Sequence, residues 1–199
     1  VVERIVYELH GISCLDLEKQ MPKKSIISSK SFGNLLYELK PIEQALSTYT
    51  ARACEKMRQQ GSKTNGLYIF LQTNPFRDDL PQYRNSLKFN FELPTSDTTV
   101  IIQIAKTLLK KIYISGYHYH KCGIMLFNLV SEQYQQGHFF TSYDPSRDSL
   151  MKSIDRINEF MGRDTIFYAA QGVKQNWKMR RNNLSPRYTT NWEELVKVY

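Results

Sequence analysis

The segment near the end of the chain, the cationic run, is rich in lysine and arginine, and these residue types indicate a chemical role most directly. No Asp or Glu lies between Thr165 and Trp192. Cations without neighbouring acids attract phosphates and release their counterions, so the run predicts a surface that faces a polyanion. Interface-type aromatic residues stand among the cations and also fit a docking surface. The candidate contacts, with DNA or with a protein, are Lys174, Trp177, Lys178, Arg180, Arg181, Arg187 and Tyr188.

Two histidines and a cysteine have the spacing of metal ligands. His118, His120 and Cys122 stand at positions i, i+2 and i+4, so a regular strand would project all three from one face, as at the start of a zinc site. The same face continues into Ile124 and Leu126, which are core residues by type. We therefore interpret the three as partly buried histidines and a core thiol, and we assign no metal ligand.

The other reactive side chains show no pattern of covalent or acid–base catalysis. Cys14 and Cys54 lack an adjacent base signature, which a nucleophilic cysteine needs. Asp78 and Asp79 lie in a loop with prolines, and the acidic pair at 193–194 lies near the chain end. Solvated charge is the simpler interpretation of both pairs, so no catalytic residue is assigned.

The net charge of +8 is concentrated in the middle of the chain. Residues 22–130 hold 15 basic and 7 acidic side chains, whereas residues 1–21 have a net charge of −2 and residues 131–199 of +2. A basic middle and a basic end favour nucleic acid over small acidic substrates as the partner.

Cysteine usage and hydropathy predict a cytoplasmic protein without a membrane partner. The three cysteines are far apart and odd in number, which fits a reducing compartment. No apolar run approaches the roughly 18 residues of a membrane span, and no signal peptide is visible. The chain starts at Val1 without an initiating Met, so we expect a fragment of a longer protein.

Hydrophobic periodicity predicts an α+β domain that would position the basic residues. The elements follow the order β-α-β-β-α-β, with strands near 24–33, 66–73, 84–93 and 117–128 and helices near 41–59 and 97–115. Each helix has one apolar stripe, so both helices should cover one face of a four-stranded antiparallel-type sheet and leave the other face open. On the open face we expect Gln72, Arg84, Ser86, Lys88, Asn90, Tyr119 and Lys121.

Segments of different character flank this domain. A helix ending near Gly11 and a linker precede it, and a polar connector follows it. A further helix at about 149–161 and a short strand at Thr165–Ala169 lead into the cationic run. Their apolar residues, with Trp177, could form a separate small core, so we expect the end of the chain to act independently. A segment this short is near the lower limit for independent folding, so the preceding domain or a partner could be needed to hold its shape. The predicted divisions are 1–23, 24–130, 131–149 and a small mixed C-terminal domain at 150–199.

The end of the chain also resembles a known protein family. Residues 167–190 match the pattern F-x-A-x-Q-G-x-x-Q-x-W-x-M-x-R-x-x-L-S-P-R-Y-T-T, which resembles the C-terminal tail of UmuC-type proteins, the Y-family DNA polymerase subunits of an error-prone polymerase system. Residues 1–18 resemble the end of the family's thumb domain, with R-x-V-x-E-L-x-G-x-x-C-x-x-L-E. Residues 24–128 resemble its little-finger domain, which has the same β-α-β-β-α-β fold.

The resemblance implies a DNA-binding role for the first predicted strand. The segment Ser29–Gly33, S-K-S-F-G, matches a family motif expected to lie along the template-strand backbone. There Ser31 and backbone N–H groups would donate to phosphate oxygens, and Lys30 would neutralise one phosphate. The candidate DNA contacts are Ser29, Lys30, Ser31, Phe32, Gly33, Arg84, Lys88, Asn90 and Lys121.

The resemblance also implies partners and a parent activity. Gln136, Phe139 and Phe140 stand where the family has a sliding-clamp peptide of type Gln-Leu-x-Leu-Phe, although Gly137 replaces the first Leu. The resemblance implies that the parent protein is a DNA polymerase of the SOS response. The palm carboxylates that hold Mg²⁺ in the family are absent from this chain, so the chain itself should lack a cofactor. Expected partners are primer–template DNA, the sliding clamp, a processed UmuD-type accessory dimer and a recombinase filament.

Two functions of other classes are left open by the residues themselves. A stand-alone split-βαβ RNA-binding module would stack bases on exposed aromatic residues of the sheet, for which Tyr68, Phe70 and Tyr119 are candidates although the RNP1 pattern is lacking. A pure protein-interaction domain would show no salt-dependent affinity for DNA.

Overall fold

Four antiparallel strands and four helices make up most of the described chain. The computed structural model describes residues 2–14, 21–133, 144–179 and 183–196. The strands are β1 (Ile26–Leu36), β2 (Ser62–Thr73), β3 (Arg84–Thr95) and β4 (Tyr119–Ser131), and the helices are α1 (Val2–Leu9), α2 (Leu39–Gln59), α3 (Thr98–Ile112) and α4 (Pro145–Phe160). Short 3-10 turns follow at Ala169–Gln171 and Trp192–Glu194. No helix in these ranges is both long and apolar enough to cross a membrane.

The predicted α+β fold and the order β-α-β-β-α-β are confirmed. The sheet order is β1-β4-β2-β3, with every neighbouring pair antiparallel. We call residues 26–131 the sheet domain, and residues 144–179 and 183–196 the tail. Each fully buried aliphatic side chain contributes about 1.5–3 kcal/mol through its removal from water, so the core between sheet and helices is the main source of stability. That core includes Ile42, Leu46, Met57, Leu67, Ile69, Leu71, Ile101, Leu109, Ile124 and Leu126.

A bulge at the start of β4 reverses the expected direction of Tyr119. Gln72 pairs with Lys121, but the next residue of β2, Thr73, pairs with Tyr119, so His120 is an extra residue in the ladder. Tyr119 therefore points to the helix side with Thr73, where it is fully buried and its hydroxyl donates to the carbonyl of Ile114 at 2.8 Å. The prediction that Tyr119 lies on the open face is wrong, because the bulge interrupts the alternation.

Two of the cysteines are core residues. Cys54 of α2 and Cys122 of β4 are fully buried, whereas Cys14 is partly exposed. Burial raises the pKa of the Cys54 thiol to about 12, with a small opposite effect of the nearby Arg58 guanidinium. Burial also raises the pKa of the Cys122 thiol. Both thiols therefore stay protonated at neutral pH and act as small apolar side chains.

Ion pairs attach α4 to the sheet domain. Arg58, whose side chain is 8% exposed, donates to both carboxylate oxygens of Asp155 at 2.6 and 2.7 Å. Lys63, with a side chain that is 6% exposed, lies 2.7 Å from Asp148. Arg147 lies 2.6 Å from Asp97, the residue that caps the N-terminus of α3. The tail is therefore bound to the sheet domain by charged groups from α2, β2 and the start of α3.

Trp177 belongs to the core of the sheet domain and not to a separate core. It is 4% exposed and stands edge-on to Tyr49 of α2, with ring centroids 5.7 Å apart. Its carbonyl accepts a hydrogen bond from the N–H of Gly33 at 2.9 Å. The prediction that Trp177 contributes to an independent C-terminal core is therefore wrong.

The short strand predicted at Thr165–Ala169 is also wrong. The side-chain amide of Asn158 satisfies both backbone groups of Ile166: its oxygen accepts from the N–H at 2.8 Å and its nitrogen donates to the carbonyl at 2.9 Å. These groups therefore need no partner strand. The segment turns instead and enters the 3-10 turn at Ala169–Gln171.

Replacing Trp177 with Ala should lower the free energy of unfolding by about 3–5 kcal/mol, because the change removes a large side chain from a packed core. Trp192, which is 89% exposed, provides the matched control, and Trp192→Ala should change stability by less than about 0.5 kcal/mol. Urea unfolding followed by far-UV circular dichroism measures both. Equal effects of the two substitutions would show that the tail does not depend on the sheet domain.

Thiol labelling should separate the cysteines by burial. Burial raises the pKa of both the Cys54 and the Cys122 thiol above pH 8 and shields them from reagents, so both should react very slowly with Ellman's reagent in the native protein. Cys14 should react first, and all three cysteines should react in denaturant. The Cys14→Ser variant should show no fast phase. A fast phase in that variant would contradict the core position of the other two thiols.

Candidate nucleic-acid interface

The sheet register aligns polar side chains in rows across the open face. In the first row Ser31 pairs with Lys121, Lys121 with Gln72, and Gln72 with Arg84. Directly opposed residues point to the same face, and neighbouring strands are about 4.8 Å apart, so this row crosses the face over about 14 Å. It has a cation at one edge, a second cation near the other edge, and amide and hydroxyl groups beside them.

Two further rows complete the face. Ser29, Gly123, Phe70 and Ser86 form the second row. In the third row Lys88 pairs with Tyr68, which pairs with Met125. Asn90, opposite Gly66, is exposed beyond that row. The candidate contacts Arg84, Lys88, Asn90 and Lys121 therefore lie on the open face as expected from strand alternation.

The three cations of the open face are not neutralised within the described residues. Arg84 and Lys88 are exposed and Lys121 is half-buried. None of them has a described carboxylate within 4.0 Å, in contrast to the cations that face the tail. Their charges are therefore available to an external anion.

Two aromatic rings of the open face are used by the sheet itself. A Cβ built on Gly123 would lie 2.7 Å from the ring of Phe70, and one built on Gly66 would lie 2.5 Å from the ring of Phe127. Each ring therefore covers the glycine directly opposite on the neighbouring strand. Of the three proposed stacking aromatics, Phe70 covers a glycine and Tyr119 points to the helix side. Tyr68 is therefore the one whose ring lies on the open face without such a role.

The motif on β1 is divided between three environments. Ser29 and Ser31 pair with Gly123 and Lys121 and so lie on the open face, whereas Lys30 pairs with Cys122 and lies on the helix side of the same edge strand. Phe32 is 3% exposed in the core. The prediction of Phe32 as a DNA contact is wrong, because its side chain anchors β1 to the core.

The tail contacts the last residue of the motif. The N–H of Gly33 donates to Trp177, and a Cβ on Gly33 would lie 2.5 Å from the carbonyl oxygen of Lys178. Gly33 is thus needed for the close approach of the tail. Its N–H is already bonded and does not donate to a phosphate, which corrects the role expected for Gly33.

The cationic residues of the tail also differ in their surroundings. Lys174 and Lys178 are exposed, and Tyr188 is 47% exposed. Arg187 forms an ion pair with Glu194 at 3.0 Å, so the prediction of an uncompensated cation is wrong there. Trp177 is buried and is not a surface contact. Arg180, Arg181 and the clamp-peptide residues Gln136, Phe139 and Phe140 lie outside the described residues.

Sequence analysis missed two arginines at the edge of β1. Arg52 of α2 and Arg163 of the tail line a cavity together with Lys30 and Lys178. The cavity joins residues that are more than a hundred positions apart in the chain, so no local pattern indicates it. In the described ranges no cluster of three or more His, Cys, Asp or Glu side chains is placed to hold a metal ion.

Two family models match the chain. The model described as the impB/mucB/samB family C-terminal domain covers residues 23–139. A second model, a domain of unknown function (DUF4113), covers residues 148–198. The first match spans the whole sheet domain, and the second includes most of the tail.

Curated relatives match over the full length of the chain. The chain is 38% identical over its whole length to protein UmuC of Salmonella typhimurium, of which it covers 48%. It is 36% identical over 98% of its length to protein MucB of Escherichia coli, of which it covers 46%. The chain therefore spans about half the length of the curated relatives it matches.

Solved structures show weaker likeness. A DinB family error-prone DNA polymerase from Sulfolobus solfataricus aligns with a TM-score of 0.46 and 11% identity, over 65% of this chain and 36% of that chain. The assignment rests on the sequence matches instead, and the resemblance to UmuC-type proteins is confirmed. Because the family model covers more than half of its residues, the chain belongs to the impB/mucB/samB family.

Proposed function

We propose that this chain is the non-catalytic DNA-binding and partner-docking region of an error-prone translesion DNA polymerase. The observation that carries the proposal is the row of Arg84, Gln72, Lys121 and Ser31 across the open face, with Lys88 beside it, in a member of this family. These groups bind primer–template DNA by its phosphate backbone.

The chemistry of the face favours phosphates over bases. Lysine and arginine side chains together with hydroxyl and amide groups are the usual donors to phosphate oxygens, and contacts of this kind carry no direct sequence information. Base stacking needs free aromatic faces, but the rings of Phe70 and Phe127 each cover a glycine. The stand-alone RNA-binding module therefore has less support than a grip on the DNA backbone.

The activity and the other partners of the whole protein follow from the family. The parent is proposed to be a cytoplasmic DNA-directed DNA polymerase of the SOS response, with Mg²⁺ held by palm carboxylates outside this chain. A processed UmuD-type accessory dimer and a recombinase filament are its proposed protein partners. Support comes from the 38% identity to UmuC over the whole of this chain.

The segment between the sheet domain and the tail is proposed to bind the sliding clamp. Gln136 provides an amide for hydrogen bonding, and Phe139 and Phe140 provide two large apolar anchors. The support for this proposal is the sequence pattern alone, because these residues lie outside the described ranges.

The triple variant Arg84→Ala, Lys88→Ala, Lys121→Ala should bind primer–template DNA more weakly and with a flatter salt dependence. Each lost phosphate contact should reduce the slope of log K against log salt by about one, so the slope should fall by up to about three. The loss should be equal for unrelated DNA sequences. Fluorescence anisotropy at several salt concentrations measures affinity and slope together.

A second triple variant controls for net charge. Lys40, Lys111 and Arg156 are exposed and lie on helices away from the open face, so their replacement with Ala removes the same charge. This control should retain most of the salt slope. Equal losses in the two triples, or a changed base preference without a changed slope, would contradict the backbone grip. Tighter binding of single-stranded RNA than of primer–template DNA would favour the RNA-binding alternative.

Replacing Phe139 and Phe140 with Ala should remove binding to the sliding clamp and leave DNA affinity unchanged. Apolar anchors dominate interfaces of this type, at about 2 kcal/mol or more for each side chain. Surface plasmon resonance on an immobilised clamp, with DNA anisotropy measured in parallel, checks both parts. Replacement of His138, which lies between the proposed anchors and the Gln, should have little effect. Clamp binding that survives the double substitution would show that the segment is only a connector.

A further inference from the structure

A cavity on the helix side of β1 is built jointly by the sheet domain and the tail. It has a volume of about 300 Å³ and opens to solvent beside the edge strand. It is lined by Lys30 and Ser28 of β1, by Thr48 of α2, and by Arg163, Trp177 and Lys178 of the tail. A cavity of this size lies at the small end of ligand sites and fits one compact group.

The charge of the cavity is positive. Lys30, Arg163 and Lys178 each bring a cation to it, and none of its described lining residues is an acid. Arg52 also lines the cavity but is shared between Glu55 at 2.9 Å and Asp164 at 2.6 Å. Arg52 is therefore neutralised, and Arg163 and Lys178 of the tail are the cations on which the positive charge of the cavity rests.

The cavity also offers hydrogen-bond donors of a kind that suits an anion. Trp177 is 4% exposed, and its Nε1 is a buried donor without a partner among the described residues. Buried donors without an acceptor are rare and call for an explanation. Ser28, which is on the helix side of β1 like Lys30, also lines the cavity and brings a hydroxyl group to it. An anionic oxygen bound there would accept from the Ser28 hydroxyl, and a small shift of the cavity wall would let it accept from Nε1 of Trp177, which does not contact solvent in this structure.

The backbone that carries Arg163 and Lys178 is held by contacts of the residues next to them. Asp164, next to Arg163, is bound to Arg52 of α2 at 2.6 Å. Trp177, next to Lys178, accepts from the N–H of Gly33 at 2.9 Å and packs on Tyr49. The wall of the cavity is therefore fixed at both ends before a ligand arrives, which reduces the cost of ordering on binding.

We propose that this cavity binds a phosphate group, and that its source is the backbone of DNA running along the edge of β1. The proposal rests on the proposed function, and it extends the contact from the open face around the edge strand to the tail. Lys30 lies on the helix side of β1, while Ser29 and Ser31 lie on the open side, so a nucleic-acid strand at this edge reaches both. The tail then contributes to DNA binding through Arg163 and Lys178.

Trp177 provides a direct readout of the cavity. The chain has two tryptophans, so Trp192→Phe leaves Trp177 as the sole indole. In this 199-residue background the fluorescence of Trp177 is followed during titration with inorganic phosphate, with sodium acetate at equal ionic strength, and with primer–template duplex. Phosphate and duplex should both change the emission and acetate should not.

A pair of double variants tests the contribution of the cavity to DNA binding. Arg163→Ala with Lys178→Ala removes two exposed cations of the cavity, and Lys111→Ala with Arg156→Ala removes two exposed cations elsewhere. The cavity double should abolish the response of Trp177 and reduce the salt slope for duplex by about one, the value for one phosphate contact. The control double should retain the Trp177 response and most of the slope.

The outcomes separate the possible failures. No response of Trp177 to phosphate or duplex, or an equal response to acetate, would overturn the phosphate site. A response to inorganic phosphate together with equal duplex affinity of the two doubles would overturn the DNA backbone as the source and assign the cavity to a free phosphate. Lack of salt-dependent duplex binding by the unaltered chain would overturn the proposed function, while the inorganic phosphate titration still decides the cavity.

Discussion

The contact between Gly33 and Trp177 is the one on which the arrangement of this protein most depends. A single backbone hydrogen bond of 2.9 Å joins the edge strand to the tail, and the Trp177 ring fills a place in the core beside Tyr49. The approach is possible because Gly33 has no Cβ, which would otherwise lie 2.5 Å from the carbonyl oxygen of Lys178. This contact protects part of an exposed sheet edge and brings Lys178 to the basic side of β1.

Beside buried tail residues such as Met151 and Gln171, ion pairs attach the tail, and they place strong demands on geometry. Arg58 has its guanidinium satisfied by both oxygens of Asp155, by the carbonyl of Ser96 at 2.9 Å and by the hydroxyl of Thr98 at 2.7 Å. A buried charge is costly to desolvate, and removing one partner of such a pair typically costs about 3–5 kcal/mol. The pairs thus define one position for α4 more than they add net stability.

The division of charge between the two sides of the sheet domain has a functional consequence. Cations on the tail side, such as Arg58 and Lys63, are neutralised by tail carboxylates. Cations on the open face, Arg84 and Lys88, have no described carboxylate nearby. The same excess of lysine and arginine is therefore paired with acids on one side and has no described acid nearby on the other, a distinction that net charge does not make.

The sequence determined by itself the elements of the sheet domain, their order and the open face, because apolar periodicity of 2 and 3.6 residues decides which side of each strand and helix is buried. It placed Arg84, Lys88, Asn90 and Lys121 correctly for that reason. It could not determine the reversal of Tyr119, which depends on a bulge against β2, the burial of Phe32 and Trp177, or the contact of Gly33 with the tail. These features result from contacts between segments that are distant in the chain, as do the pairing of Arg187 with Glu194 and the cavity shared by Lys30 and Arg163. Local patterns report on neighbours within a turn or a strand, so only the tertiary structure decides which basic residues pair with acids and which remain exposed without one.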